Sequence, residues 1–227
     1  MNKRELLTGA KAATPIVLGY LPVCFAFGVL ARRAGLTPFE VGLMSLLVYA
    51  GSSQFVAVEM ISKGLSWFPI VVTTFLINLR HFLMSSTLSP YFCKQPLRIL
   101  GFLAAELTDE SFVVAMSDLS MIAHRPEYVM GLQLTSHLAW LVGSLGGALF
   151  GQLIDYGGYG LPFALPSLFI SLLVLQIKNR LQFGVALLAG VLSLLFKWMF
   201  PGSWHVVLAA LLGSGVGATV EAIRRKA

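Results

Sequence analysis

The sequence predicts an all-α, polytopic transmembrane bundle of about eight spans, and three observations predict it. Of the 227 residues, 57% are hydrophobic and only 11% charged, whereas a soluble domain carries about 25% charged residues. The apolar residues fall in blocks of roughly 17–25, the length that crosses a hydrocarbon core about 30 Å thick. No long polar stretch separates the blocks, so residues 1–227 are expected to form a single transmembrane domain. In lipid each segment must satisfy its own backbone hydrogen bonds, which makes every block a helix.

The first block is Pro15–Ala31. It follows Lys3, Arg4 and Lys11 and ends at Arg32-Arg33 without an Ala-x-Ala cleavage pattern, so an uncleaved helix is expected. The second is Phe39–Ile61 and the third Trp67–Leu88. The fourth, Ile99–Met116, is interrupted by Glu106, Asp109 and Glu110. The fifth, Tyr128–Ile154, carries Gly143, Gly147 and Gly151 every four residues, a stripe that lets helix backbones approach closely. The sixth, Leu161–Ile177, opens with Pro162 and Pro166, which predict a kink or break. Pro201-Gly202-Ser203 reads as a tight turn between the seventh, Phe183–Phe200, and the eighth, Trp204–Val220. The eighth has its own small-residue stripe, Ala209, Gly213 and Gly217. Seven spans, or six with re-entrant pieces, satisfy the same composition.

The net charge of +6 reads as topology. With the amino terminus inside, the inner segments hold ten basic residues (Lys3, Arg4, Lys11, Lys63, Arg125, Lys178, Arg180, Arg224, Arg225, Lys226). The outer ones hold five (Arg32, Arg33, Lys94, Arg98, Lys197). That excess predicts both termini in the cytoplasm. No aromatic-interleaved basic patch points to nucleic acid. No Gly-x-x-x-x-Gly-Lys-Ser/Thr loop points to ATP hydrolysis, so no ATPase domain is expected in this chain. Cys24 and Cys93 make neither a disulfide framework nor a metal-ligand spacing, and no cofactor or metal is expected.

Function is sought among polar groups at bilayer depth, where each is costly unless paired or hydrated. The first cluster is Tyr49-Ala50-Gly51-Ser52-Ser53-Gln54-Phe55, midway along the second block. Its small residues fill a helix poorly, and Gly51 costs about 1 kcal/mol relative to alanine in a helix interior. Local unwinding there would offer carbonyl and N–H groups to a polar solute, with Ser52, Ser53 and Gln54 beside them. A close helix crossing is the structural alternative.

The second cluster is Asn78-Leu79-Arg80-His81. Arg80 cannot shed its charge, so it requires a carboxylate partner, hydration or an anionic group of a substrate. Its fork suits the carboxylate of an amino acid, and a structural ion pair with a nearby acid is equally open. His81 is either a proton carrier or a hydrogen-bonding core residue. The third cluster is Leu107-Thr108-Asp109-Glu110-Ser111, with Glu106 one turn before Glu110 on the same helical face. Three acids at one level need cations or protons. Asp109 and Glu110 are therefore candidates for proton coupling, for an ammonium or for pairing with Arg80, unless the segment is a hydrated loop. A fourth, weaker feature is the stripe Gln133, Ser136, His137, Trp140 and Ser144 on one face of the fifth block, which fits helix–helix hydrogen bonding as well as a transport path.

Several of these stretches resemble one family. Gly19-Tyr20-Leu21-Pro22 with Phe25-Ala26-Phe27-Gly28, the Tyr49–Phe55 run, Asn78-Leu79-Arg80-His81, Leu107-Thr108-Asp109-Glu110 and Ala164-Leu165-Pro166-Ser167-Leu168-Phe169 resemble the AzlC/YgaZ permeases in order and spacing, over about residues 15–170. The resemblance implies a multi-pass protein of the bacterial inner membrane that exports branched-chain amino acids, with a small hydrophobic AzlD/YgaH-type partner subunit. Some relatives place Asp where this chain has Asn78, which removes one charge from any coupling scheme. On this reading Gly51, Ser52, Ser53, Gln54, Asn78 and Arg80 bind substrate, and His81, Asp109 and Glu110 couple protons or pair charge. Phe25, Phe27 and Phe55 wall the side chain. A passive channel or structural subunit is the alternative. An intramembrane hydrolase with Ser52 or Ser53 as nucleophile and His81 or His137 as base lacks any Gly-x-Ser-x-Gly or His-Glu-x-x-His motif.

Overall fold

The computed structural model describes residues 2–117, 125–153, 179–199 and 204–226, with isolated positions between 163 and 177. Among the described residues all regular structure is helical: ten α-helices and one short 3-10 turn. The chain divides into two compact units, Met1–Leu168 and Phe169–Ala227.

The first unit holds α1 (Lys3–Ala12), α2 (Thr14–Arg33), α3 (Pro38–Leu47), α4 (Gly51–Ser62), α5 (Trp67–Phe92), α6 (Leu97–Ala105), α7 (Asp109–Ser117) and α8 (Pro126–Phe150), the last continued by the 3-10 turn Gly151–Leu153. The second holds α9 (Arg180–Met199) and α10 (Trp204–Lys226). Three described helices are long and apolar enough to cross a membrane: α2, α5 and α9. The sixth predicted block lies almost wholly outside the described residues, as do Pro162, Pro166 and the Pro201-Gly202-Ser203 turn.

The axis of the first unit is α8, which packs against α1, α2, α3, α6 and α7. Its glycine stripe explains how closely. A Cβ at Gly143 would overlap the Cys24 sulfur, one at Gly147 the Phe25 carbonyl oxygen, and one at Gly151 the Val29 side chain. Gly28 of α2 answers from the other side, where a Cβ would overlap the Ser144 carbonyl. The fifth-block stripe is thus an intrachain seam between α2 and α8. In the second unit Gly213 and Gly217 of α10 lie against Ala189 and Val185 of α9.

Two predicted spans are each two helices. The second block breaks at 48–50 between α3 and α4, and the fourth at 106–108 between α6 and α7. Small residues weaken the first segment, and adjacent acids with a threonine weaken the second. By contrast α5 runs unbroken for 26 residues. It buries only Leu88 and Phe92 and exposes Trp67, Phe68, Val71, Phe75, Phe82 and Leu83, an apolar surface suited to lipid. Before the first block lies a helix the hydropathy pattern does not announce, α1, capped by the Asn2 side chain.

Candidate functional site

The first break is built around Tyr49. Thr37 and Glu40 start α3 with a reciprocal capping box, and the helix runs out at Val48. Tyr49 adopts φ of +37°, the left-handed region that a bulky residue enters at a cost of order 1–3 kcal/mol. Its ring is held by stacking on His137 of α8, with centroids 3.9 Å apart and planes 9° from parallel. One residue after Ala50, α4 begins at Gly51, where a Cβ would lie 2.8 Å from Cη2 of the buried Trp140. Only glycine lets this turn settle on the indole. The break strips the Ser45 carbonyl of its helical donor, and His137 Nε2 fills the gap at 3.1 Å.

The second break repeats this device. Thr108 and Ser111 bond to each other's backbone N–H at 3.2 and 2.9 Å, which starts α7 as a side-chain cap does. The carbonyl left without a helical donor is that of Leu103, and Gln133 Nε2 of α8 donates to it at 2.8 Å. Gln133 and His137 stand four residues apart on one helical face. The polar stripe of the fifth block therefore buttresses both interruptions.

Across these breaks lies Arg80 of α5. One guanidinium nitrogen donates to the Ser52 hydroxyl at the start of α4. Another is 2.8 Å from an Asp109 carboxylate oxygen at the start of α7. Ser52, Arg80 and Asp109 thus form one chain of contacts linking three elements. Both charged side chains are partly buried, which gives the pair more weight than a surface ion pair. Arg80 Nε is buried and has no hydrogen-bond partner among the described residues, and the same holds for Gln54 Oε1, Asn78 Oδ1, Gln133 Oε1, Tyr49 Oη and Trp140 Nε1.

The three acids do not act as one cluster. The shared face expected for Glu106 and Glu110 requires a continuous helix, and the break at 106–108 separates them. Asp109 pairs with Arg80. Glu110 accepts a hydrogen bond from the Tyr20 hydroxyl of α2 at 2.7 Å, and Tyr20 also meets Thr108 at 3.0 Å. Glu106 lies 2.7 Å from His137 Nδ1. Each carboxylate has its own partner, on a different helix.

This arrangement coincides with a sequence relationship. The model of the AzlC protein family matches residues 15–154, a stretch that includes both breaks, Arg80 and the α8 stripe. The chain belongs to the AzlC family. It is 31% identical over 224 residues to the inner membrane protein YgaZ of Escherichia coli K12, covering 95% of this chain and 90% of that one. It is 36% identical over 202 residues to a membrane protein of Archaeoglobus fulgidus, covering 88% of each. A protein of Bacillus subtilis named branched-chain amino acid transport protein AzlC is 26% identical over 223 residues, with 95% of this chain and 87% of that one covered. No solved structure matches.

In this AzlC-family chain the expected site residues are only partly gathered. Ser52, Arg80 and Asp109 touch in series. Gly51 sits on Trp140. Ser53 is buried and its hydroxyl turns back to the Ala50 carbonyl at 2.9 Å. Gln54 is fully buried, with its amide nitrogen 3.5 Å from the Ser45 hydroxyl. Asn78 lies two residues before Arg80 and so faces the nearly opposite side of α5, and His81, next to Arg80 in α5, makes no hydrogen bond among the described residues. Glu110 belongs to the Tyr20 contact rather than to Arg80. Of the expected apolar wall, Phe27 and Phe55 pack together at 5.5 Å and Phe27 stacks on Trp140 at 6.0 Å. Phe25 lies instead beside Gly146, because two residues along a helix point to nearly opposite sides. Neither Ser52 nor Ser53 bonds to a histidine among the described residues.

Sequence reasoning passed over Tyr20, Ser45 and Leu103 as site-forming positions. The last two act through backbone carbonyls, which no side-chain pattern marks. Tyr20 lies in the Gly19-Tyr20-Leu21-Pro22 motif, but in an apolar helix that also carries Phe25 and Phe27 its hydroxyl had no signal of its own.

Proposed function

We propose that this chain is the large subunit of a two-subunit secondary exporter of small apolar amino acids, valine, leucine and isoleucine among them. On this reading it lies in the bacterial inner membrane beside a separately encoded AzlD/YgaH-type subunit. The observation that carries the reading is Arg80, held between Ser52 at the start of one half-helix and Asp109 at the start of another. An amino acid presents a carboxylate and an ammonium a short distance apart, and Asp109 and Arg80 present the opposite charges side by side. When their contact opens, the guanidinium takes the carboxylate through two parallel N–H bonds, using its unpartnered Nε. Asp109 then takes the ammonium.

The first turn of α4 adds partial positive charge from backbone N–H groups. Buried polar atoms without partners are costly, about 1–3 kcal/mol each, so a solute carboxylate or water that meets the unpartnered Arg80 Nε relieves such a cost. The apolar side chain of the cargo meets Phe27, Phe55 and Trp140. Discontinuous helices meeting at a charged substrate group are a recurring construction of secondary transporters, in which the half-helices move to alternate access. Residues 38–62 and 97–117 then each count as one interrupted span of an eight-span bundle with both termini in the cytoplasm. The name of the Bacillus relative supplies the substrate class.

Reconstitution into proteoliposomes, with and without the partner subunit, tests the reading. An exporter shows saturable counterflow of labelled L-leucine or L-valine. A linear flux without counterflow would make the chain a channel, and no flux in either preparation would remove the transport assignment.

A further inference from the structure

A second charged contact lies outside the Arg80 chain: Glu106, at the second break, with His137 of α8. Both ring nitrogens of His137 face oxygen. Nε2 is 3.1 Å from the Ser45 carbonyl, which only accepts, so Nε2 carries a hydrogen. Nδ1 is 2.7 Å from Glu106 Oε2, and a contact that short requires a hydrogen between the two atoms. That hydrogen belongs either to an imidazolium or to a neutral carboxyl group. In both cases the pair holds one proton more than a neutral imidazole beside a carboxylate. The proton count follows from the geometry whichever tautomer is assigned.

We propose that the Glu106–His137 pair holds the proton that drives the transport cycle, a role separate from the Arg80–Asp109 contact. The inference rests on the exporter reading above. Arg80 cannot release a proton, and its contact with Asp109 is the one assigned above to cargo. The Glu106–His137 contact can release one. On loss of the shared proton, the Nδ1 lone pair faces a carboxylate oxygen, and the contact must open or the ring must abandon the Ser45 carbonyl. Either movement disturbs both interruptions together. The His137 ring supports Tyr49 in its left-handed turn, and Glu106 is the first residue past α6. One protonation event is thereby tied to the two hinges that flank Arg80, which is the two-state element coupling requires.

The neighbouring titratable groups leave this role to the pair. From α2, Tyr20 donates to Glu110. From the α3–α4 link, Tyr49 stacks on the ring itself, while Glu40 caps the far end of α3. From α7, Asp109 is held by Arg80 of α5, the neighbour of His81. From α1, Glu5 reaches Arg125 at the start of α8.

The transporter, co-reconstituted with its partner subunit in vesicles containing a pH-sensitive dye, tests the proposal with L-leucine as probe. In the wild type a gradient of one pH unit drives leucine accumulation of up to about tenfold, with protons moving the opposite way. Glu106→Gln and His137→Gln, each checked for monodisperse purification, keep leucine counterflow but lose gradient-driven accumulation. The proposal is overturned if both variants still accumulate leucine under the gradient, if both lose counterflow as well, or if the wild type moves leucine without protons. Absence of counterflow in the wild type itself would instead sink the exporter reading, and the coupling role with it.

Discussion

Arg80 shows how much a single residue dictates in this fold. A permanent cation in the middle of an apolar helix must be answered, and the answer is shared by the Ser52 hydroxyl and the Asp109 carboxylate. That much was legible in the sequence, because a guanidinium in a span demands a partner and the acids of the fourth block were the nearest supply. Which acid would pair with Arg80 was not legible. It depends on a helix break that turns Asp109 toward α5, Glu110 toward α2 and Glu106 toward α8. Tyr20 was equally hidden, since a tyrosine in an apolar helix reads as filler until its hydroxyl finds an oxygen. Tyr20→Phe tests its weight. Removing the donor leaves Glu110 without its 2.7 Å hydrogen bond, and hydrogen bonds to charged groups are worth about 1.5–3 kcal/mol. Thermal unfolding of the detergent-solubilised protein is expected at a lower temperature than for the wild type. An unchanged melt would show that the Tyr20 contact does not stabilise the fold.

At the scale of elements, the two broken helices and α8 form one device. Each break exposes a carbonyl, Ser45 at one and Leu103 at the other, and each is answered by a side chain of α8, His137 and Gln133. The sequence carried half of this. The run of small residues marked an unwinding near Gly51, and the stripe of Gln133 and His137 marked a polar face. Nothing in either pattern said that the stripe caps the breaks, because backbone carbonyls have no sequence signature. The seam of α8 with α2 is a sharper case, since glycines at a spacing of four are readable as contact positions and only their partner was unknown. Neighbouring substitutions separate contact from composition. A Cβ at Gly147 overlaps the Phe25 carbonyl oxygen, while one at Gly146 finds its nearest atom, Cδ2 of Phe25, at 3.8 Å. Gly147→Ala is expected to destabilise the protein by about 1–3 kcal/mol or more, as overpacked cores do, and to purify poorly. Gly146→Ala is expected to behave as wild type in the same size-exclusion and melting measurements. Equal behaviour of the two would refute the seam.

At the scale of the molecule, hydropathy made the helical class readable, because a continuous apolar run of about 20 residues crosses lipid as a helix that pairs its own backbone. The count of spans was less accessible. Interrupted segments carry the same composition as continuous ones, and the rules of charge bias speak to orientation rather than number. The two native thiols provide a probe of orientation that needs no engineering. Cys24 is buried against α8 and Cys93, just beyond α5, is exposed. With the amino terminus inside, Cys93 lies on the outer face. A membrane-impermeant maleimide added to intact cells is therefore expected to label the wild type and not Cys93→Ser. Labelling that requires broken cells would reverse the orientation.

If a carboxylate-bearing cargo displaces Asp109 from Arg80 between the two half-helices, transport stands or falls with the guanidinium. Counterflow of labelled L-leucine is compared for Arg80→Ala, Arg80→Lys and the wild type. No counterflow is expected from alanine. Lysine keeps the charge but loses the planar fork, and its rate is expected to be lower by about tenfold or more, the equivalent of about 1.4 kcal/mol. Counterflow at the wild-type rate from a well-folded Arg80→Ala protein would rule the displacement out.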